Sequence, residues 1–229
     1  MRINTNVAAM NTLRVLAGTE QSITRSIGRL SSGFRLNRAA DDAAGLAIAN
    51  QLRAALGALQ QATRNAEQAN ALIQVAEGGA DGIQRILVRM KELISQAMSD
   101  NVDATGRAQI DTEFQGLLTE VDRIANSTEF SGVNLLNDTL AAVSLDFIVG
   151  ASSTVANDTI SFAALDLTAA TLTIDTIDVT DDTAAQANFD AVDAAIAVVS
   201  DAFAELGGAQ NRLDIALTQV RITVENTAA

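Results

Sequence analysis

The sequence predicts a mainly α fold, a long antiparallel helical bundle or coiled coil with a small β-hairpin region at one end. Three observations predict it. The 229 residues contain no proline, where average usage of about 5% would give roughly eleven, and proline is the residue that breaks helix interiors. Apolar residues recur at alternating four- and three-residue intervals over two long stretches, the period of a helix seam. Between those stretches the period shortens to two, as in strands.

The first forty residues are helical in parts. Ile3, Val7 and Met10 share one helical face, and so do Ile23, Ile27, Leu30 and Phe34. This stripe has little core of its own to cover. An isolated helix of that kind is marginal in water, so it needs a partner from elsewhere in the chain or from another subunit.

The strongest periodicity follows. Ala62, Ala66, Ala69, Ile73, Ala76, Ala80, Ile83, Leu87, Met90, Ile94 and Ala97 alternate in 4-3 spacing without a polar interruption. Leu52, Leu56 and Leu59 extend the stripe upstream with a small phase shift. One helix is expected from about Asp42 to about Ser99, on the order of 85 Å long at 1.5 Å per residue. Gly78, Gly79 and Gly82 are expected to weaken and bend its middle. A turn at Asp100–Asp103 leads to a second helix carrying Ile110, Phe114, Leu117, Val121 and Ile124, which should end near Asn126–Ser127. So short a connection makes the two helices antiparallel neighbours.

From about Phe130 to 180 the pattern reads as β hairpins. Gly132, Asn134, Asn137 and Asp138 are turn residues. Val143, Leu145 and Phe147 alternate with polar residues, as do Thr159–Phe162 and Thr171–Ile174 leading into Ile177 and Val179. Helix returns near Thr183. Val192, Ile196, Val199, Phe203, Leu206, Gln210, Leu213, Leu217, Val220 and Val224 are spaced 4-3, with Gln210 the one polar member. No capping glycine or turn follows Thr227.

Composition narrows the function. There is no His, Cys, Trp or Tyr. That removes the commonest general base and metal ligand and all thiolate chemistry, so an enzyme is not expected and no catalytic, cofactor or metal residue is assigned. The apolar fraction is 48%, much of it Ala, with seven Phe as the aromatics, a composition suited to close helix contact. No run reaches the ~18 apolar residues of a membrane span. Met1–Asn6 lacks the apolar stretch of a cleavable signal, so any export is expected to proceed without one. Residues 1–64 carry a net charge of +5 and residues 65–229 a net of −18. The basic start does not read as a nucleic-acid site, because its arginines are spread at helical intervals without aromatic interleaving.

Several stretches then resemble the bacterial flagellin family. They are Ile3–Asn6, the long run Arg29-Leu-Ser-Ser-Gly-Phe-Arg-Leu-Asn37 continuing through Ala40-Asp-Asp-Ala-Ala-Gly-Leu-Ala-Ile-Ala49, the segment Phe130–Leu136, and Gly207–Leu213. The resemblance covers most of residues 1–136 and about 185–229. It implies an extracellular structural subunit of the bacterial flagellum, exported through the flagellar secretion channel. It further implies that residues 1–33 form an inner-tube helix, 34–43 a spoke linker, 44–129 with 183–229 the helical bundle core, and 130–182 its β-rich outer part. The family normally continues a few dozen residues beyond Ala229 with a terminal helix that pairs with the first one. The chain is therefore expected to be C-terminally truncated, with the site of the export chaperone missing.

The same resemblance places Arg89, Glu92, Leu93 and Glu113 on a surface used for inter-subunit contact and recognised by the innate immune flagellin receptor. Arg29, Ser31, Ser32, Arg35, Asn37, Arg38, Asp41 and Asp42 fall at the spoke, as assembly residues. The pairs Asp41-Asp42 and Asp181-Asp182 are read as helix caps, since adjacent residues do not point together on a helix and acids are stabilised at helix N-termini. The expected function is self-assembly by helix packing into a motility filament of identical subunits. The hook–filament junction protein, which shares the terminal helices, is the alternative.

Overall fold

The computed structural model describes residues 6–40, 42–137, 145–151, 158–163, 165–180 and 185–228. Two compact units are formed, Met1–Gly57 and Ala58–Ala229.

In the first unit, α1 spans Val7–Ser32. The Asn6 side chain accepts the Ala9 N–H at 3.1 Å, satisfying one of the donors that a helix start leaves unpaired. The helix stops at Gly33, whose φ of 71° is left-handed and whose N–H reaches the Arg29 carbonyl at 2.9 Å. Phe34, placed on the helical stripe by its spacing, therefore lies beyond the helix end, and Ile3 lies outside the described residues. No residue of α1 is buried. After residues 33–42 comes α2, Ala43–Ala97, which contributes its first turns to this unit. Asp42 Oδ1 accepts the Gly45 N–H at 2.9 Å, the capping role expected of it; Asp41 lies outside the described residues, as do Asp181 and Asp182. The Arg53 guanidinium stands 4.6 Å from the centre of the Phe34 ring.

The second unit holds the rest of α2 with α3 (Ala104–Ser127) and α4 (Ala185–Ala228). Every position of the 4-3 stripe from Ala62 to Ala97 is buried. Asp103 caps α3 by accepting the Gly106 N–H at 2.8 Å, and Arg107 Nε donates to the Ala97 carbonyl at 3.1 Å. The inter-helix contacts Arg107–Ala97 and Arg89–Glu113 fix α3 antiparallel to α2. The sequence Lys91–Asp193, Asn70–Asp214, Glu67–Arg221 does the same for α4.

Among the glycines expected to weaken α2, Gly79 also has a packing role. The helix runs through them unbroken. A Cβ on Gly79 would lie 2.6 Å from Thr128 Oγ1 and 2.7 Å from Leu136 Cδ1. Gly79 is where the chain leaving α3 passes close to α2.

On α4 the buried seam is rotated from the expected one. Val192, Val199, Leu206, Leu213 and Val220 are buried as predicted. Their companions are Ala195, Ala202 and Ala209, while Ile196, Phe203, Gln210 and Leu217 are only half-buried. Spacing reasoning chose the larger apolar residues. Packing chose the alanines, because small side chains let two helix backbones approach.

Beyond α3, β1 (Glu129–Phe130) and β2 (Val133–Asn134) pair across Ser131 and Gly132, at φ 53° and 80°, both left-handed as a tight two-residue hairpin turn requires. Leu135 and Leu136 then enter the core. β3 (Leu145–Ile148) pairs antiparallel with β4 (Thr159–Phe162) in the register Leu145↔Phe162 to Ile148↔Thr159. Val143 and Asp138 lie outside the described residues. The strand expected over Thr171–Val179 does not form. Burial alternates there as predicted, with Leu172, Ile174, Ile177 and Val179 buried, yet among the described residues no strand lies alongside. Side chains of α3 take up backbone groups instead. Asp122 accepts the Ala169 N–H at 2.8 Å, Gln115 donates to the Ile177 carbonyl at 3.0 Å, and Asp111 accepts the Val179 N–H at 3.3 Å.

Candidate assembly and contact surfaces

Arg89 sits on α2 facing α3. Its Nε and Nη2 donate to Glu113 Oε1 at 3.0 and 2.8 Å, and its Nη1 donates to Glu92 Oε2 at 3.0 Å. The Glu113 hydrogen bond, then the Glu92 one, hold the guanidinium above its ordinary value. The Arg89 and Glu113 side chains are each about half exposed, so this triad presents a charged bridge over the α2–α3 seam. Leu93 does not share that surface. It is 1% exposed and belongs to the core, because its position on α2 lies beside the buried Met90 and Ile94. Three of the four predicted contact residues are thus brought together and the fourth is turned inward.

At the end of α1, the Ser32 hydroxyl donates to the Arg29 carbonyl at 3.4 Å and accepts the Phe34 N–H at 3.2 Å, shaping the turn around Gly33. Ser31 is exposed on the last turn of α1. Arg35, Asn37 and Arg38 are exposed on the following segment. Arg25 donates from Nε to the Gln21 carbonyl at 3.4 Å.

The exposed surface of α1 carries an apolar stripe. Val7, Met10, Leu13, Leu16, Ile23, Ile27 and Leu30 of α1 are all more than half exposed, Leu30 at 83%. A single helix with this much bare aliphatic surface is poised for a partner.

Sequence reasoning missed other links. Lys91, the chain's one lysine, forms an ion pair with Asp193 and stands 4.7 Å over the Phe189 ring. Arg221 Nη2 reaches Glu67 at 2.9 Å, and Asn65 donates to the Ile148 carbonyl at 3.1 Å. These residues are 83 to 154 positions apart, so no local spacing marks them. An open groove of about 400 Å³, lined by Leu72, Phe130, Val133, Leu145 and Phe147 with Asp146 at its edge, lies between α2 and the hairpins. Among the described residues no helix is long and apolar enough to cross a membrane.

Comparison with known proteins converges on one family. Residues 3–141 match the family model described as the bacterial flagellin N-terminal helical region. A flagellin of Halalkalibacterium halodurans is 38% identical over 229 residues, covering all of this chain and 83% of that protein. A flagellin of Bacillus subtilis is 36% identical over 258 residues, covering all of this chain and 85% of that one. The crystal structure of Bacillus cereus flagellin superposes with a TM-score of 0.61 at 29% identity, covering 73% of this chain and 95% of its own. A structure assigned as a flagellar hook-associated protein, from Vibrio parahaemolyticus, superposes with a TM-score of 0.63 at 18% identity over 82% of this chain and 98% of its own, a likeness of fold alone.

Proposed function

This chain belongs to the bacterial flagellin family and is a structural subunit of the flagellar filament, and from that premise we propose how its parts divide the work. Residues 1–33 join the inner tube, residues 34–43 are the spoke, residues 44–129 and 183–229 form the bundle core, and residues 130–182 are its outer part. The observation that carries the reading is α1. It is a 26-residue helix with no buried residue and a long aliphatic stripe, which burial against neighbouring subunits would stabilise at about 25 cal/mol per Å² of apolar surface. Repetition of a contact between different faces of identical chains does not close, and so builds a tube or filament.

The test is elongation of filament fragments by added full-length chain, followed by light scattering and electron microscopy. Wild type should elongate the seeds. A Leu16→Asp, Ile23→Asp variant should keep its helical signal and fail to elongate them. Elongation by that variant at the wild-type rate would sink the role of α1. The junction between hook and filament is the second reading, supported by the fold shared with the hook-associated structure. Restoring long filaments in a strain lacking its own flagellin favours the filament, and a junction without a filament favours the second reading.

A finer role belongs to the same proposal. The exposed Arg89–Glu92–Glu113 bridge packs between subunits and serves as a contact for the innate immune flagellin receptor. Arg89→Ala and Glu113→Ala should each lower the response of a receptor reporter. An unchanged response in both removes that assignment.

A further inference from the structure

Within the second unit, the glycines of the two longest helices gather at one level. From Ala58 onward α2 holds Gly78, Gly79 and Gly82, and the glycines of α4 are Gly207 and Gly208. The links Asn70–Asp214 and Lys91–Asp193 set the antiparallel register of the two helices. Counted eight residues on from Asn70, or thirteen back from Lys91, Gly78 comes level with Leu206, beside Gly207 and Gly208. Each helix therefore carries an adjacent pair of glycines, one of the few local sequences at which helices bend, and the two pairs stand at the same height.

Packing explains only part of this set. Gly79 makes room for Thr128 and Leu136, and a Cβ on Gly82 would make ordinary contact with Ile124 at 3.4 Å. Gly78, Gly207 and Gly208 differ, because a Cβ on any of them would meet nothing within 4 Å. Each weakens its helix relative to alanine without making room for a neighbour. The same level marks a change of architecture. α3 ends at Ser127, and its cap Thr128 lies against Gly79. On one side, α2 is tied to α3 by Arg89–Glu113 and Arg107–Ala97. On the other, Asn65 of α2 holds the Ile148 carbonyl of β3, and Ser161 and Phe162 of β4 line a groove with Gly208 and Arg212 of α4. Among the described residues, α2 and α4 are the helices that run through the level where α3 stops.

We propose that this level is a hinge, at which α2 flexes at Gly78 and α4 at Gly207 and Gly208 together, so that the three-helix end of the unit tilts against its hairpin end while both helices stay continuous. Hinges are a few residues that absorb the backbone change, and here they fall where the third helix ceases to brace the other two. The buried seam on either side, Ala76 and Ala80 on α2 with Ala202 and Leu206 on α4, keeps the pair in register as it bends. The use of such a hinge to a filament of identical copies, which is to accommodate curvature, rests on the filament reading. The hinge itself does not.

Amide hydrogen exchange of the full chain, resolved along α2 and α4, tests this. In wild type, the amides of residues 76–82 and 205–211 should exchange at least about tenfold faster than those of 86–92 and 192–198, as opening confined to one level requires. Gly207→Ala/Gly208→Ala should slow exchange on α4 and also slow residues 76–82 of α2 by at least about threefold, because the two helices open as one unit. Gly78→Ala should in turn slow residues 205–211. Gly116→Ala on α3, where a Cβ also meets nothing within 4 Å, should leave both stretches unchanged. Uniform exchange along the two helices of wild type overturns the proposal. So does slowing confined to the substituted helix, which is helix propensity alone. Loss of the helical signal in circular dichroism by any of the hinge variants also overturns it, since those positions would then be packed. Seeded elongation by wild type is measured separately, so failure of the filament reading is a distinct result.

Discussion

Arg89 on α2 places two of its nitrogens on a single oxygen of Glu113 on α3, at 3.0 and 2.8 Å. Both side chains remain about half exposed, so water competes for every bond they make. Arg89→Ala and Glu113→Ala should therefore each move the thermal midpoint little, and the double variant should move it no further than the larger single one. A double-mutant cycle measured by thermal unfolding checks this. A strongly additive pair would mean that the two residues act separately.

Gly79 and Gly78 are adjacent on α2 and should respond in opposite directions to alanine. At Gly79 the new Cβ collides with Thr128 and Leu136, at 2.6 and 2.7 Å, and overpacking of this kind costs about 1–3 kcal/mol, more than the helix-propensity gain. At Gly78 nothing stands within 4 Å, so Gly78→Ala should stabilise by roughly 0.5–1 kcal/mol. Urea midpoints of the two variants report the sign of each.

The rotated seam of α4 sets a second contrast. Ala202 is 4% exposed and faces the core, so Ala202→Leu should destabilise by about 1–3 kcal/mol. Leu206→Ala should cost about 2–5 kcal/mol, and Phe203→Ala, at a half-buried position, should cost less than Leu206→Ala. The reverse order in denaturant unfolding would restore the seam read from spacing.

Asp166 supplies a pH prediction. Burial pushes its carboxyl up, but hydrogen bonds from the Thr171 hydroxyl, the Thr168 amide and the Thr168 hydroxyl together carry it below its ordinary value. A carboxyl depressed by folding contributes stability that is present above the unfolded value near pH 4 and is lost as pH falls through the folded value. The stability difference between wild type and Asp166→Asn should therefore shrink as pH drops below about 4, and stay constant from pH 5 to 7. Denaturant unfolding across that range measures it. A difference independent of pH down to 2 would remove Asp166 from the acid limb.

Much of this architecture was readable in one dimension because its main helices obey one period. The stripe from Ala62 to Ala97 is buried throughout, and the helix bounds Ala43–Ala97 and Ala104–Ser127 lie within a few residues of those read from caps and turns. Asp42 marks its helix end by local chemistry alone. Among the contact residues, Arg89 and Glu92 are neighbours on one helix, so their pairing is local. Glu113 joins them from α3, and that link needed the α2–α3 turn.

The sequence by itself determined where the helices run, which face of α2 is buried and the division of charge between the two ends. Those properties depend on residues a few positions apart, or on composition. Tertiary structure decided what depends on a partner: that Leu93 turns inward, that Ala195, Ala202 and Ala209 outrank larger neighbours in the α4 seam, that Thr171–Val179 leans on α3 rather than on a strand, and that Gly79 is a point of close approach. Periodicity says that a face is buried. Only the shape of the opposing surface says which side chains fit there, because interiors are packed at near-crystalline density and a single methyl decides the fit.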